Sequence, residues 1–353
     1  MKTSSIKILL GGIVSIVVAF VFGQDKIAQY IPAVQSKSGT CLGEFYRQQP
    51  PYLNRESLQN HTYPLCFDGF NVMYSGVSKT PLWVAEHLYP ERLSQKIKRE
   101  DSFHEELKVS SQHRALLSDY RGSGYDRGHM APNGDMSTKS SQADSFSLAN
   151  MVPQAPKNNQ QIWRELEEAT RAIVTKQKQD VYVVTGPVFN AKKLKTIGNG
   201  VLVPTAVYKA IYVPNNKSGT HKGAIGVYYA PNNNSLQVQV ISVCKLEELT
   251  GINIFTQLSE DAKRDVYQLP LTAQQVKPNQ SINYAFWDGE SQCAKPVAEN
   301  DLQALQRKFQ PNASNSTLSV ANNESTSGNQ SSNDVPPQLI QSLLHYVLKY
   351  LAG

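Results

Sequence analysis

The densest chemistry in this chain sits in Tyr125-Asp126-Arg127-Gly128-His129-Met130-Ala131-Pro132. A neutral imidazole such as His129 takes a proton from water near neutral pH and suits a general base. Arg127 carries a planar guanidinium that grips an anion through two donors at once. Gly128 between them lets backbone approach a ligand or turn sharply. Each residue also has an ordinary structural use: a satisfied histidine, a surface ion pair between Arg127 and Asp126, a turn glycine. Four residues alone do not choose between these uses.

A second stretch weighs on the choice. Asn150-Met151-Val152-Pro153-Gln154 is followed by Asn159, Trp163 and Glu167. The last three are spaced i, i+4 and i+8, which places them on one stripe of a helix. A neutral amide oxygen can ligate a hard cation such as Mg2+, which prefers oxygen and keeps several of its waters. A carboxylate one or two turns along can hydrogen-bond those waters. The structural alternatives are an N-cap for Asn159 and a solvated helix face for Glu167.

These residues need elements to hold them. Ile162, Leu166, Ala169 and Ile173 recur at helical spacing and predict a helix from Asn158 to Lys176. A strand at 181–184 follows, stopped by Gly186-Pro187. Phe70, Val72 and Tyr74 alternate ahead of Pro81-Leu82-Trp83-Val84-Ala85, which reads as a hairpin, and further strands are expected at 206–213, 224–230 and 236–243. Many strands with few helices between them predict an α+β fold with a mainly antiparallel central sheet flanked by helices. Residues 91–128 are rich in charge of both signs and read as solvated, compensating loop.

The chain has 353 residues, 40% hydrophobic and 18% charged, enough apolar content for a sizeable core. With 35 Lys plus Arg against 29 Asp plus Glu, the mild basic balance permits a polyanionic partner without requiring one. None of Cys41, Cys66, Cys244 and Cys293 is spaced as CxxC, which argues against a zinc finger or a thioredoxin-type motif. Residues 1–23 read as an export signal: Lys2 and Lys7 precede an apolar run from Ile8 to Phe22, shorter than the ~20 residues a spanning helix needs. Membrane attachment is expected only if that segment stays uncleaved. Export, to a secreted or periplasmic location, favours disulfides, and the two early and two late cysteines favour the pairs Cys41–Cys66 and Cys244–Cys293. Residues 311–335, dominated by Asn, Ser and Thr, read as a flexible linker. Residues 336–353 carry an apolar stripe at helical spacing, read as a helix docking on its own domain, on a second copy as a homodimer, or on another partner.

Taken together, Asp126-Arg127-Gly128-His129 with Ala131-Pro132, Asn150 to Pro153-Gln154, Asn159, Trp163, Leu166-Glu167 and Val184-Thr185-Gly186-Pro187 resemble, in order and spacing, the DNA/RNA non-specific endonucleases with a ββα-metal site. Weaker marks agree: Phe70–Tyr74, Leu82-Trp83-Val84, Val203-Pro204-Thr205 with Lys209, and Leu249-Thr250-Gly251. The resemblance spans about residues 70–253, within a nuclease domain of 24–310. It implies His129 as the general base and Asn159 as the direct protein ligand of Mg2+, with Mn2+ able to substitute. It implies Glu167 as the carboxylate that orients the ion's water, Asn150 as a polar residue that orders the site, and Arg127 and Arg99 as arginines that meet phosphate and developing charge. Asp126 is left a structural residue. The expected activity is hydrolysis of DNA and RNA phosphodiester bonds to 5′-phosphate ends, without regard to sugar or sequence. The competing expectation is an exported nucleic-acid-binding or uptake factor with little or no catalysis.

Overall fold

The structure is a computed structural model and describes residues 41–216 and 223–310. The export segment 1–23, the linker 311–335 and the segment 336–353 lie outside the described residues.

The elements that matter for the site are strands β1 (Thr62–Phe67), β2 (Phe70–Ser75), β3 (Thr80–Leu88), β4 (Asp126–His129), β5 (Met151–Gln154), β6 (Val181–Val188), β7 (Ala206–Val213), β8 (Ala224–Pro231) and β9 (Gln239–Ile241), with helices α1 (Pro90–Ser94), α2 (Arg164–Gln177), α3 (Val243–Thr250) and α4 (Glu299–Lys308). Seven strands form one sheet in the order β9-β8-β7-β6-β3-β2-β1. Every neighbouring pair is antiparallel. The α+β architecture with an antiparallel centre is therefore as the residue pattern predicts.

The register of this sheet sorts side chains onto two faces. Val84 pairs with Thr185, and Thr185 with Lys209, so the three share a face. Helix α2 covers that face with Leu166, Ala169 and Ile173, all fully buried. Trp83 is buried on the other face, where its ring meets Phe45 at 5.8 Å and Phe309, just past α4, at 5.6 Å. Disulfides link Cys41 to Cys66 and Cys244 to Cys293, the two expected pairs. Among the described residues no helix is long and apolar enough to cross a membrane.

Three local expectations are corrected. Strand β6 runs through Gly186-Pro187 instead of stopping there. Its pairing with β3 ends at Thr185, so the missing N–H of Pro187 deprives no ladder on that side. Gly186 is required because a Cβ would stand 2.6 Å from the carbonyl oxygen of Leu82. The strand expected at 236–243 shrinks to β9, and Val243 opens α3 instead. Ser242 caps that helix by accepting a hydrogen bond from the Lys245 amide at 2.9 Å, and Gly251 closes it at φ 74°. The charge-dense stretch 91–128 is not uniformly solvated: Arg92, Glu106 and Asp119 are buried. Arg92 lies 3.6 Å from Glu86 and pairs with Glu44 at 3.0 Å, the latter 48 positions away and beyond what local charge patterning reveals.

Candidate active site

Asp126-Arg127-Gly128-His129 forms β4, paired antiparallel with β5. The two strands, joined by residues 130–150, pack closely: a Cβ on Gly128 would lie 2.0 Å from the Gln154 side chain, so no other residue fits there without displacing it. Arg127 and His129, two apart, project from the same face of the strand. Asn150 fixes the hairpin end. It is fully buried, its Oδ1 accepts from the Ala131 amide at 2.8 Å, and its Nδ2 donates to the carbonyls of Ala131 at 2.8 Å and Ser145 at 2.9 Å. With its amide spent on backbone next to His129, Asn150 does not line the open site.

The helical side is built differently from the expected single stripe. Asn158–Trp163 is a π-helical turn that continues into α2. A π turn carries about one more residue per turn than an α turn and marks functional positions in many folds. The wider turn rotates Trp163 out of line with Asn159 and Glu167. Trp163 is buried, with the Lys209 ammonium 5.5 Å from its ring centroid. Asn159, Arg164, Glu167 and Arg171 line the open side. Asn159 is no N-cap either: its Nδ2 donates to Asp126 Oδ2 at 2.9 Å. Gln160 donates to the same oxygen at 2.8 Å. Asp126, read as structural, therefore orients the Asn159 amide. With the nitrogen committed to a carboxylate, the oxygen Oδ1 is the atom left to meet a ligand.

Hairpin and helix enclose one open cavity of about 1070 Å³, whose lining includes Arg99, Arg127, His129, Asn159, Glu167 and Arg171. Five of the six residues singled out from sequence thus meet around one space, and Asn150 stands directly behind it. Arg99 lies at the rim, ion-paired to Asp101 at 2.6 Å, with its guanidinium 5.4 Å from the Phe146 ring. Arg171 was not singled out. It stands one turn beyond Glu167, held by Asp135 at 2.8 Å, and its i+4 spacing from Glu167 was the available signal.

The electrostatics keep the imidazole neutral and hold one carboxyl against its charge. Burial pushes His129 down to about 3, and the nearby cations Arg99 and Arg127 add to the effect. Its imidazole is therefore neutral at ordinary pH. Nε2 is buried with no hydrogen-bond partner among the described residues, while the ring as a whole lines the cavity. Glu167 moves the other way: burial pushes its carboxyl up to about 7, against the pull of Arg171 and Lys209. A carboxylate this hard to ionise gains most from a cation placed beside it. A divalent ion fits this donor set: a free amide oxygen on Asn159, a nearby carboxyl that burial keeps from ionising, and a cavity with room for water. Cys244, Glu247 and Cys293 also lie close together, but both thiols are spent in a disulfide and hold no metal.

A DNA/RNA non-specific endonuclease family model matches residues 51–261, extending beyond the 70–253 suggested by motifs. The chain is 36% identical over 210 residues to the mitochondrial nuclease EXOG of Danio rerio, covering 55% of this chain and 61% of that protein. It is 39% identical over 162 residues to the mitochondrial endonuclease G of Homo sapiens, covering 42% of this chain and 52% of that protein. The matches thus span only about half to three-fifths of these two relatives. Among solved structures, one of an EndoG/EndoGI complex, described as showing the mechanism of EndoG inhibition, aligns with a TM-score of 0.52 at 27% identity over 58% of this chain and 93% of that chain.

Proposed function

The chain belongs to the DNA/RNA non-specific endonuclease family, and from that premise we propose that it is an exported, Mg2+-dependent nuclease that hydrolyses internal phosphodiester bonds of DNA and RNA to 5′-phosphate ends. The observation that carries this reading is the convergence of a neutral, proton-accepting His129 and an Asn159 oxygen oriented by Asp126 on one arginine-lined cavity.

His129, whose ring lines the cavity, takes the proton of the attacking water on its neutral imidazole. Arg127 and Arg99 meet the phosphoryl oxygens, where negative charge grows in the transition state. Arg171, anchored by Asp135, adds positive charge along the same wall. Asn159 would hold the ion through Oδ1, and Glu167 would hydrogen-bond its water. When bound, Mg2+ supplies Lewis-acid stabilisation of the phosphoryl and leaving oxygens. Indifference to sequence follows from reading phosphate instead of base edges. Export rests on the apolar run 8–22 after Lys2 and Lys7, and on two disulfides, which persist outside the reducing cytosol.

The test is incubation of the protein with plasmid and with RNA, in magnesium and in chelator, beside His129→Ala. Magnesium-dependent cleavage of both polymers, lost in the variant, is expected. Activity that resists chelator, or an active alanine variant, refutes the mechanism. Binding without cleavage would make the chain a nucleic-acid-binding factor instead.

A further inference from the structure

Arg127 differs from Arg99, Arg164 and Arg171 around the cavity in what holds it. Arg99, Arg164 and Arg171 each have a carboxylate within 4.0 Å. Arg127 has neither an ion pair nor a hydrogen bond from its guanidinium to another described residue. Instead its Cζ lies 3.9 Å from the centroid of the Phe103 ring, well inside the range of a cation–π contact.

We propose that Phe103 is a positioning residue: its ring fixes the plane of the Arg127 guanidinium while leaving the N–H donors unspent for a backbone phosphate of the nucleic acid. This deepens, and rests on, the nuclease reading above. A carboxylate in the same place would hold Arg127 equally well but would occupy the donors that phosphate needs and cancel the charge that attracts it. An aromatic face attracts the cation through its quadrupole and accepts none of the in-plane N–H bonds.

The ring is itself well held. Phe103 packs edge-on to Phe146, with centroids 4.9 Å apart at 83°, and His129 lies 5.7 Å from Phe103 and 5.1 Å from Phe146. The next residue, His104, is tied into the strand-like segment behind the site: its amide donates to the Phe146 carbonyl at 3.2 Å, and its carbonyl accepts from the Leu148 amide at 2.8 Å. Phe103 also packs against the small cluster that includes Tyr120, Leu148 and Met151, the last of these opposite His129 in the hairpin. The loop carrying Phe103 is thereby registered to the hairpin carrying both Arg127 and His129.

The experiment compares Phe103→Leu, which keeps bulk but loses the π face, with Phe103→Tyr, which keeps it, each alone and in an Arg127→Ala background. Readouts are kcat and KM on a defined duplex in magnesium, and salt-dependent binding of the same duplex in chelator. Leu lowers kcat/KM about tenfold, mostly through KM, and reduces the slope of log affinity against log salt by about one, the signature of one lost phosphate contact. Tyr recovers most of the loss. With Arg127 already removed, Leu costs less than about twofold, because a residue that acts through another has nothing left to act on. Equal losses with and without Arg127, or Leu and Tyr behaving alike, overturn the proposal. If Phe103→Leu does not fold by thermal melting, Phe103→Met takes its place in the same cycle. A wild-type protein that binds but does not cleave defeats the nuclease reading, and the salt-slope comparison still decides the role of Phe103.

Discussion

Replacing Glu167 by Gln should make the metal-free protein more stable at pH 8 while abolishing its cleavage of nucleic acid. Burial raises the Glu167 carboxyl from 4.5 to about 7. A folded-state pKa above the unfolded one means the fold prefers the neutral acid. That preference is fully present below about pH 4.5 and is lost as pH rises through about 7. The difference of about 2.5 units, at about 1.36 kcal/mol each, gives up to about 3 kcal/mol lost by pH 8. Because Glu167 is half-buried and opens on the cavity, solvent screening trims this to roughly 1–3 kcal/mol. Gln has the same shape and does not ionise. Urea unfolding in chelator, from pH 4 to pH 8 with disulfides intact, should show the variant and wild type equally stable near pH 4 and diverging in favour of the variant as pH rises. Millimolar magnesium should narrow the gap at pH 8, because only the wild-type carboxylate gains from the cation. A variant less stable than wild type at pH 8, or a gap that does not change with pH, would show that Glu167 is not held against its charge, and the electrostatic case for a cation beside it would fall.

The same shifts set the pH dependence of activity. His129 is neutral above about 3, so it should not produce the acid limb of a kcat/KM profile; that limb belongs to Glu167, lies near 7 at limiting magnesium, and moves to lower pH as magnesium is raised. Asp126→Ala should weaken magnesium activation about 10- to 100-fold with smaller effect at saturating ion, read from activity against magnesium concentration, because Asn159 Nδ2 loses the acceptor that turns Oδ1 toward the cavity. Reduction of Cys41–Cys66 and Cys244–Cys293, which close separations of 25 and 49 residues, should cost about 3–4 kcal/mol each in denaturant unfolding on the chain-entropy model.

Much of the site was legible because its residues occur in two short runs whose order carries meaning. His129 and Arg127 share a strand, and Asn159 and Glu167 share a helical stretch, so local spacing sufficed to associate them. The place of Trp163 was not legible. A π turn is a backbone event without a fixed residue pattern, and periodicity alone assigned Trp163 to the face of Asn159 when it is buried beside Lys209. Helix α3 was missed although its signals were present, Ser242 before it and Gly251 after it. The Val- and Ile-rich run through Leu236–Val243 reads as strand, and only the fold shows that Val243 already belongs to the helix. The run through Gly186-Pro187 was misjudged because an internal proline is compatible with a strand only when a neighbour ends beside it, and the end of the β3 pairing at Thr185 is tertiary information. Phe103 offered no signal at all, since its contact with Arg127 crosses 24 positions of chain.

The placement of the arginines links the fold to the chemistry. Arg92, buried behind the site, donates to Glu44 at 3.0 Å, to the His87 carbonyl at 2.9 Å and to the Asp135 carbonyl at 3.0 Å. Asp135 in turn holds Arg171, whose charge draws the Glu167 carboxyl back toward ionisation. A chain of hydrogen bonds and charges thus runs from Glu44, in the segment tied down by Cys41–Cys66, to the carboxyl on α2. In this chain each guanidinium is committed to a carboxylate or a carbonyl, which is what a buried cation requires if its charge is not to be unsatisfied. Arg127 faces the cavity, where water can satisfy its donors until substrate arrives, and so it can be held by an aromatic face without a carboxylate. Arg92 is spent on the protein behind the site and fixes its geometry, and the guanidinium laid on Phe103 keeps its donors for the phosphate.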